Sequence, residues 1–144
     1  GLVGGITAAY DINPHIGICV DVTFARDAQK EDRKVVGDIR IDGGPAVGIG
    51  PTYHTTLTGL ILAAGETKKI PVQRQVRSRG TGTCAWAMRM SRSGAAVAQL
   101  SIPLRYMHSP VELISLDDAA KTVDLLCAAI LAIPADFDLH PQQP

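Results

Sequence analysis

The stretch Ile16-Gly17-Ile18-Cys19-Val20-Asp21-Val22-Thr23-Phe24, residues 16–24, decides the fold class. It is β-branched and apolar with a single acid in it, and lacks the polar–apolar alternation of a strand with one wet face. Such a run reads as a strand of a parallel sheet covered on both faces. Asp21 is then an anomaly, because a carboxylate there is costly unless it is paired or put to use.

Upstream, Gly1 to Tyr10 mixes glycines with helix formers, and Pro14 bars a helix from passing Asn13, so the segment is the tail of a helix or a loop. Downstream, Arg26 to Arg40 carries nine charged residues in fifteen without periodicity over most of its length, as a solvated loop does. Gly43, Gly44, Pro45, Gly48, Gly50 and Pro51 mark a turn-rich segment. Thr52 to Ala64 predicts a helix that ends near Gly65, and Ile70 to Val76 alternates as a half-buried strand does. Thr83 to Ser93 reads as a helix stopped at Gly94. Ala96 to Met107 reads as a mostly apolar strand in which Pro103 implies an edge, a bulge or an end.

Two capping boxes follow: Ser109-Pro110-Val111-Glu112, with proline at the favoured first helical position, and the weaker Ser115-Leu116-Asp117-Asp118. The second should launch the longest helix, whose apolar positions 119, 123, 126, 127, 130 and 133 keep helical spacing until Pro134. Strands alternating with helices give an α/β layer fold.

Lys+Arg and Asp+Glu are both 14, so net charge points to neither a nucleic-acid nor a membrane partner. The longest apolar run, Leu125 to Ile133, is about half of the roughly 18 residues a membrane-spanning helix needs. Three cysteines without C-x-x-C spacing argue against a disulfide framework or zinc finger and fit a reducing cytoplasm. No basic segment followed by an apolar one opens the chain, so no signal peptide is expected, and Gly1 reads as a cut inside a longer protein.

Ligands of open α/β sheets bind outside the carboxyl ends of the strands. Asp21 ends one apolar strand and His108 follows another, so both can reach one rim. A carboxylate and an imidazole converging there suit zinc, cobalt or manganese. The competing readings are a paired buried acid at Asp21 and a histidine packed before a helix at His108.

Tyr106-Met107-His108-Ser109-Pro110-Val111-Glu112, preceded by Ser101-Ile102-Pro103-Leu104-Arg105, resembles the C-terminal signature of the tetrahedral-particle (TET) aminopeptidases, a family also labelled glutamyl aminopeptidase or cellulase. Val20-Asp21-Val22-Thr23, with Ala25 and Asp27, is similar to the family's second metal-ligand strand, and Gly43-Gly44-Pro45 to its glycine-proline turn. The resemblance covers nearly the whole chain. It implies a three-layer α/β sandwich of the co-catalytic zinc-exopeptidase type, with residues 1–144 forming the C-terminal part of the catalytic domain. An upstream part and an inserted dimerisation domain would lie outside the sequence.

By the same resemblance, Asp21 ligates one of two divalent ions, zinc or cobalt, and His108 ligates the other. The substrate is a peptide that loses its N-terminal residue, and the complete protein forms a large hollow homo-oligomer. The family's general-base glutamate belongs to a Glu-Glu pair that immediately precedes the segment matching residues 1–4. With two of five implied ligands and no general base, the chain alone is expected to be inactive. Glu112 is read as the reciprocal partner of a capping box, with orientation of the His108 loop as the alternative. Arg105 is read as a salt-bridge residue or one facing the substrate cleft. Cys84 stands where the family has aspartate in Gly-Thr-Asp-Ala. It is read as a small buried side chain rather than a nucleophile; if the family's aspartate supports the active-site wall, the change weakens or alters activity.

Rival readings are weaker. Gly80 to Ala85 fits G-x-G-x-x-A, but the acid that a dinucleotide site needs about 20 residues on is absent. Lys68, Lys69, Arg74, Arg77, Arg79, Arg89, Arg92 and Arg105 fall in an acid-free stretch with only Trp86 and Tyr106 interleaved, thin for a nucleic-acid stacking surface. A lapsed family member acting as a binding or scaffold protein is the other alternative. A glycosidase would need two flanking carboxylates, and Asp21 and Glu112 are the only obvious candidates.

Overall fold

The computed structural model describes residues 2–27, 38–78, 80 and 82–140. Most of the charged loop (28–37) and Arg79 and Thr81 lie outside the described residues. The elements are α1 (Val3–Ile12), β1 (Ile16–Phe24), β2 (Ala46–Ile49), α2 (Thr55–Lys68), β3 (Gln73–Val76), α3 (Cys84–Arg89), β4 (Ala96–Arg105), β5 (Leu113–Ile114) and α4 (Leu116–Ala132). The sheet runs β1-β4-β2-β3, with β5 on β4. Strand β1 pairs in parallel with β4 from Ile16↔Ala96 to Phe24↔Leu104, and β2 with β3. The β2–β4 pairing, through Ala46↔Ser101 and Val47↔Leu100, is antiparallel, so the sheet is mixed.

Helices α1 and α3 pack together, and α3 lies on β1 and β4. Helices α2 and α4 pack on the other face, where Val47, Leu57, Ile61, Ala98, Leu100 and Leu125 are fully buried. This three-layer α/β arrangement is the one expected. The buried-strand reading of β1 holds at Gly17, Cys19 and Thr23 and fails at Val20 and Phe24, which are exposed.

Where the structure departs from expectation, packing partners explain it. Strand β2 lies inside the glycine-proline segment, its signal diluted by small residues. Gly48 is glycine because a Cβ there would fall 2.6 Å from the Tyr53 ring. Gly65 does not end α2, which runs on to the left-handed Lys69 (φ 56°). A Cβ at Gly65 would lie 2.8 Å from Val72 and 3.3 Å from Leu125, so the glycine admits close packing of α2 against α4. Pro103 does not interrupt β4. It falls between the last residue paired with β2 (Ser101) and the first paired with β5 (Leu104), where a missing N–H costs no ladder bond to either. Helix α3 is shorter than expected, ending at Arg89.

The largest correction concerns α4. Its buried residues are Asp118, Thr122, Leu125 and Ala129, whereas Val123, Cys127 and Ile130 of the expected stripe are exposed. Asp118 Oδ2 accepts from the Asp42 N–H and Oδ1 from the Gly44 N–H, both at 2.8 Å. A helix pinned to that turn by two charge-assisted bonds is rotated so that the acid faces in.

Candidate active site

Asp21 does not end β1, which runs on to Phe24; it pairs with Ser101, three residues before the strand end, while the turn after Arg105 leaves the same carboxyl end of the parallel pair. Asp21 is half-buried, and its Oδ1 accepts from the Val22 N–H at 2.8 Å. His108 is exposed, and its ring meets Phe24 edge-on, with centroids 6.5 Å apart. Strand alternation places Asp21 on the face opposite Phe24, about 10 Å back along β1. Both residues lie toward the carboxyl ends of β1 and β4, but the structure does not bring their side chains into contact. Among the described residues, no group of three or more His, Cys, Asp or Glu could hold a metal ion. The carboxylate and imidazole suit a divalent ion by type but fit only as part of a larger ligand set.

The turn that carries His108 is strained. Tyr106 and His108 adopt left-handed conformations (φ 61° and 65°), on either side of Met107. Positive φ is uncommon outside glycine and gathers at functional positions, where surrounding structure must hold it. Here the Ser109 N–H donates to Tyr106 O at 3.1 Å, and the His108 N–H donates to Glu112 Oε1 at 2.6 Å. No helix follows Ser109, and its Oγ accepts from the Val111 N–H at 3.3 Å. The capping-box reading of Glu112 is thus corrected: β5 and the 106–112 turn occupy the place of the helix, and Glu112 fixes the His108 backbone.

Arg105 is a structural ion-pair residue. Its Nε and Nη2 donate to the two oxygens of Asp27 at 3.0 and 2.7 Å, tying the end of β4 to the segment after β1. The Ile41 N–H donates to Asp27 Oδ2 at 3.3 Å. The hydrogen bonds from Arg105 hold the Asp27 carboxyl below its usual range. A folded-state pKa lower than the unfolded one adds stability above the unfolded value and loses it as pH falls through the folded value. Asp27→Asn should therefore flatten the loss of unfolding free energy between about pH 5 and about pH 2. Denaturation midpoints across that range test this, and an unchanged acid limb would contradict it.

A buried polar strip flanks Asp21 on the α3 side of the sheet and was not anticipated. Gln99 Oε1 accepts from Tyr53 Oη at 3.0 Å and Thr83 Oγ1 at 2.8 Å, while its Nε2 donates to Ser101 Oγ at 2.9 Å. Gln75 donates to Thr23 Oγ1. The available signal was Gln99 and Ser101 at strand spacing inside an apolar run. Cys84 is half-buried between Gly5 of α1 and Cys19 of β1. Burial, followed by the neighbouring Cys84, pushes the Cys19 thiol up to about 11.

Several of the basic residues are engaged locally. Arg89 donates to Pro51 O at 2.7 Å, Arg92 stacks over Tyr10, and Arg77 reaches Thr23 Oγ1 at 3.4 Å. His54, assigned nothing from sequence, caps α2. Its Nδ1 accepts from the Leu57 N–H, and Nε2 then donates to Leu139 O at 3.1 Å. Among the described residues no helix is long and apolar enough to cross a membrane.

The family model for M42 glutamyl aminopeptidases matches residues 1–125. The lysyl aminopeptidase of Pyrococcus furiosus is 39% identical over 139 residues, covering 95% of this chain and 39% of the relative. Among solved structures, an aminopeptidase from the archaeon Desulfurococcus kamchatkensis superposes with a TM-score of 0.81 at 33% identity, over 93% of this chain and 38% of that one. The TET1 peptidase of Pyrococcus horikoshii, which can assemble into a tetrahedron or a large octahedral shell, gives 0.68 at 26% identity, over 96% and 38%. The chain spans about two fifths of the length of these relatives. With the sequence, the three-layer fold and the family model in agreement, the chain belongs to the M42 glutamyl aminopeptidase family.

Proposed function

We infer that these residues supply one side of the active site of a metal-dependent aminopeptidase that removes N-terminal residues from peptides in the cytoplasm. The observation that carries this reading is the strained 106–108 turn, which presents His108 beside the parallel strand that bears Asp21. Asp21 and His108 would each hold one of two divalent ions, zinc or cobalt, with the remaining ligands and the general base outside residues 1–144. When bound, the ions supply Lewis-acid activation of water and of the peptide carbonyl. Glu112 holds the His108 backbone, and the Asp27–Arg105 pair anchors the strand end that leads into it. The likeness to the TET1 particle supports assembly of the complete protein into a hollow homo-oligomer.

The lapsed-enzyme alternative gains little from Cys84. That side chain packs between α1 and β1, so its departure from aspartate alters packing there. Hydrolysis of aminoacyl-nitroanilides by the complete protein, lysyl and glutamyl substrates included, tests the proposal. Cobalt- or zinc-dependent release that a chelator stops and metal restores is expected, while the 144-residue chain alone releases nothing. A folded, metal-loaded complete protein that cleaves no substrate in the panel would sink the reading.

A further inference from the structure

We propose that Cys19 and Cys84 are a reversible thiol–disulfide pair, closed by hydroperoxides, which fastens α3 to β1. Cys19 is 4% exposed on the face of β1 that α3 covers, and Cys84 is the first residue of α3. Both side chains pack in one cluster with Tyr53, Ala85 and Val97. A Cβ placed on Gly5 would lie 3.4 Å from Cys84 Sγ, so α1 backs the sulfur and holds it toward β1. Access is unequal. Cys84 is half-buried and reachable by a small oxidant, while Cys19 is covered and stands directly behind it.

The chemistry follows from that order. Cys84 Sγ takes one oxygen from the hydroperoxide as the O–O bond breaks, giving a sulfenic acid and an alcohol or water. Cys19 Sγ then attacks Cys84 Sγ, and the S–O bond breaks. The hydroxyl leaves as water with the Cys19 proton. Two thiols have lost two electrons to one peroxide, and an external dithiol reverses the step by exchange. The bond fixes the Gly82–Thr83 turn, which opens α3, against the strand that bears Asp21 two residues after Cys19. This chemistry does not depend on the peptidase reading.

The test uses the 144-residue chain with Cys127→Ser, because Cys127 is exposed on α4 in the opposite layer and would form links between molecules. Stoichiometric hydroperoxide under native conditions should remove both remaining thiols, with the mass falling by two hydrogens. A tryptic map should join the peptide containing Cys19 to the one containing Cys84, and dithiothreitol should release them. A link between residues 19 and 84 closes a loop of about 65 residues, so the thermal midpoint should rise by on the order of 10 °C on oxidation. Cys84→Ser and Cys84→Ala should each abolish the bridged peptide and the midpoint shift. Accumulation of a sulfinic acid on Cys84 while Cys19 stays alkylatable would overturn the proposal, as would bridging only in denaturant. The peptide map of the Cys127→Ser protein decides the matter even if the Cys84 variants fail to fold.

Discussion

Asp118→Ala is expected to destabilise the fold by about 3–5 kcal/mol, since it deletes two charge-assisted hydrogen bonds worth roughly 1.5–3 kcal/mol each. The carboxylate is fully buried and is the acceptor for the Asp42 and Gly44 N–H groups. Its removal leaves these donors without that acceptor and frees α4 from the 42–45 turn. Asp118→Asn keeps one acceptor oxygen and turns an amide N–H toward the second donor, so about half the loss or more should remain. Urea denaturation with an unchanged m-value measures both. A loss under about 1 kcal/mol would show that Gln73 holds the turn unaided. Gln73 grips the same loop from β3: its Nε2 donates to Arg40 O at 2.9 Å and Gly44 O at 2.8 Å.

Gly44→Ala should cost about 3 kcal/mol or more, by a different route. Gly44 has φ 84°, and a Cβ built there falls 2.0 Å from Pro71 O, a separation no real contact tolerates. The turn would have to retreat from the start of the β3 segment, straining the bond from the Gln73 N–H to Pro45 O that opens the β2–β3 pairing. Gly4→Ala and Gly59→Ala are the matched controls. Both lie in helices with nothing within 4 Å of the added methyl, and both should stabilise by about 0.5–1 kcal/mol. Equal effects at Gly44 and Gly59 would contradict the crowding argument. Because Gly44 donates to Asp118, combining Gly44→Ala with Asp118→Ala should lose less than the sum of the two.

Several features of the fold and the family were legible in the order of residues alone. The run 16–24 carried its strand assignment in its own composition. Tyr106 to Glu112 carried the family, because a seven-residue match depends on identity and spacing and needs no knowledge of packing. Helix α4 was legible for a similar local reason, since Ser115 caps it and Pro134 lies just beyond it.

Features that depend on a partner distant in sequence were decided only by the tertiary structure. The rotation of α4 follows from a turn more than 70 residues away, which outweighs the apolar stripe on the helix itself. Strand β2 exists because β3 and β4 flank it, not because Ala-Val-Gly-Ile prefers to be extended. Glu112 sits at capping-box spacing from Ser109, yet antiparallel pairing of Leu113 and Ile114 with β4 forbids the helix and leaves the carboxylate to the His108 amide. Local sequence determined the β1 and α4 segments and the family signature of the chain. Long-range hydrogen bonds and close backbone contacts, whose energies no local window contains, decided how those segments are held.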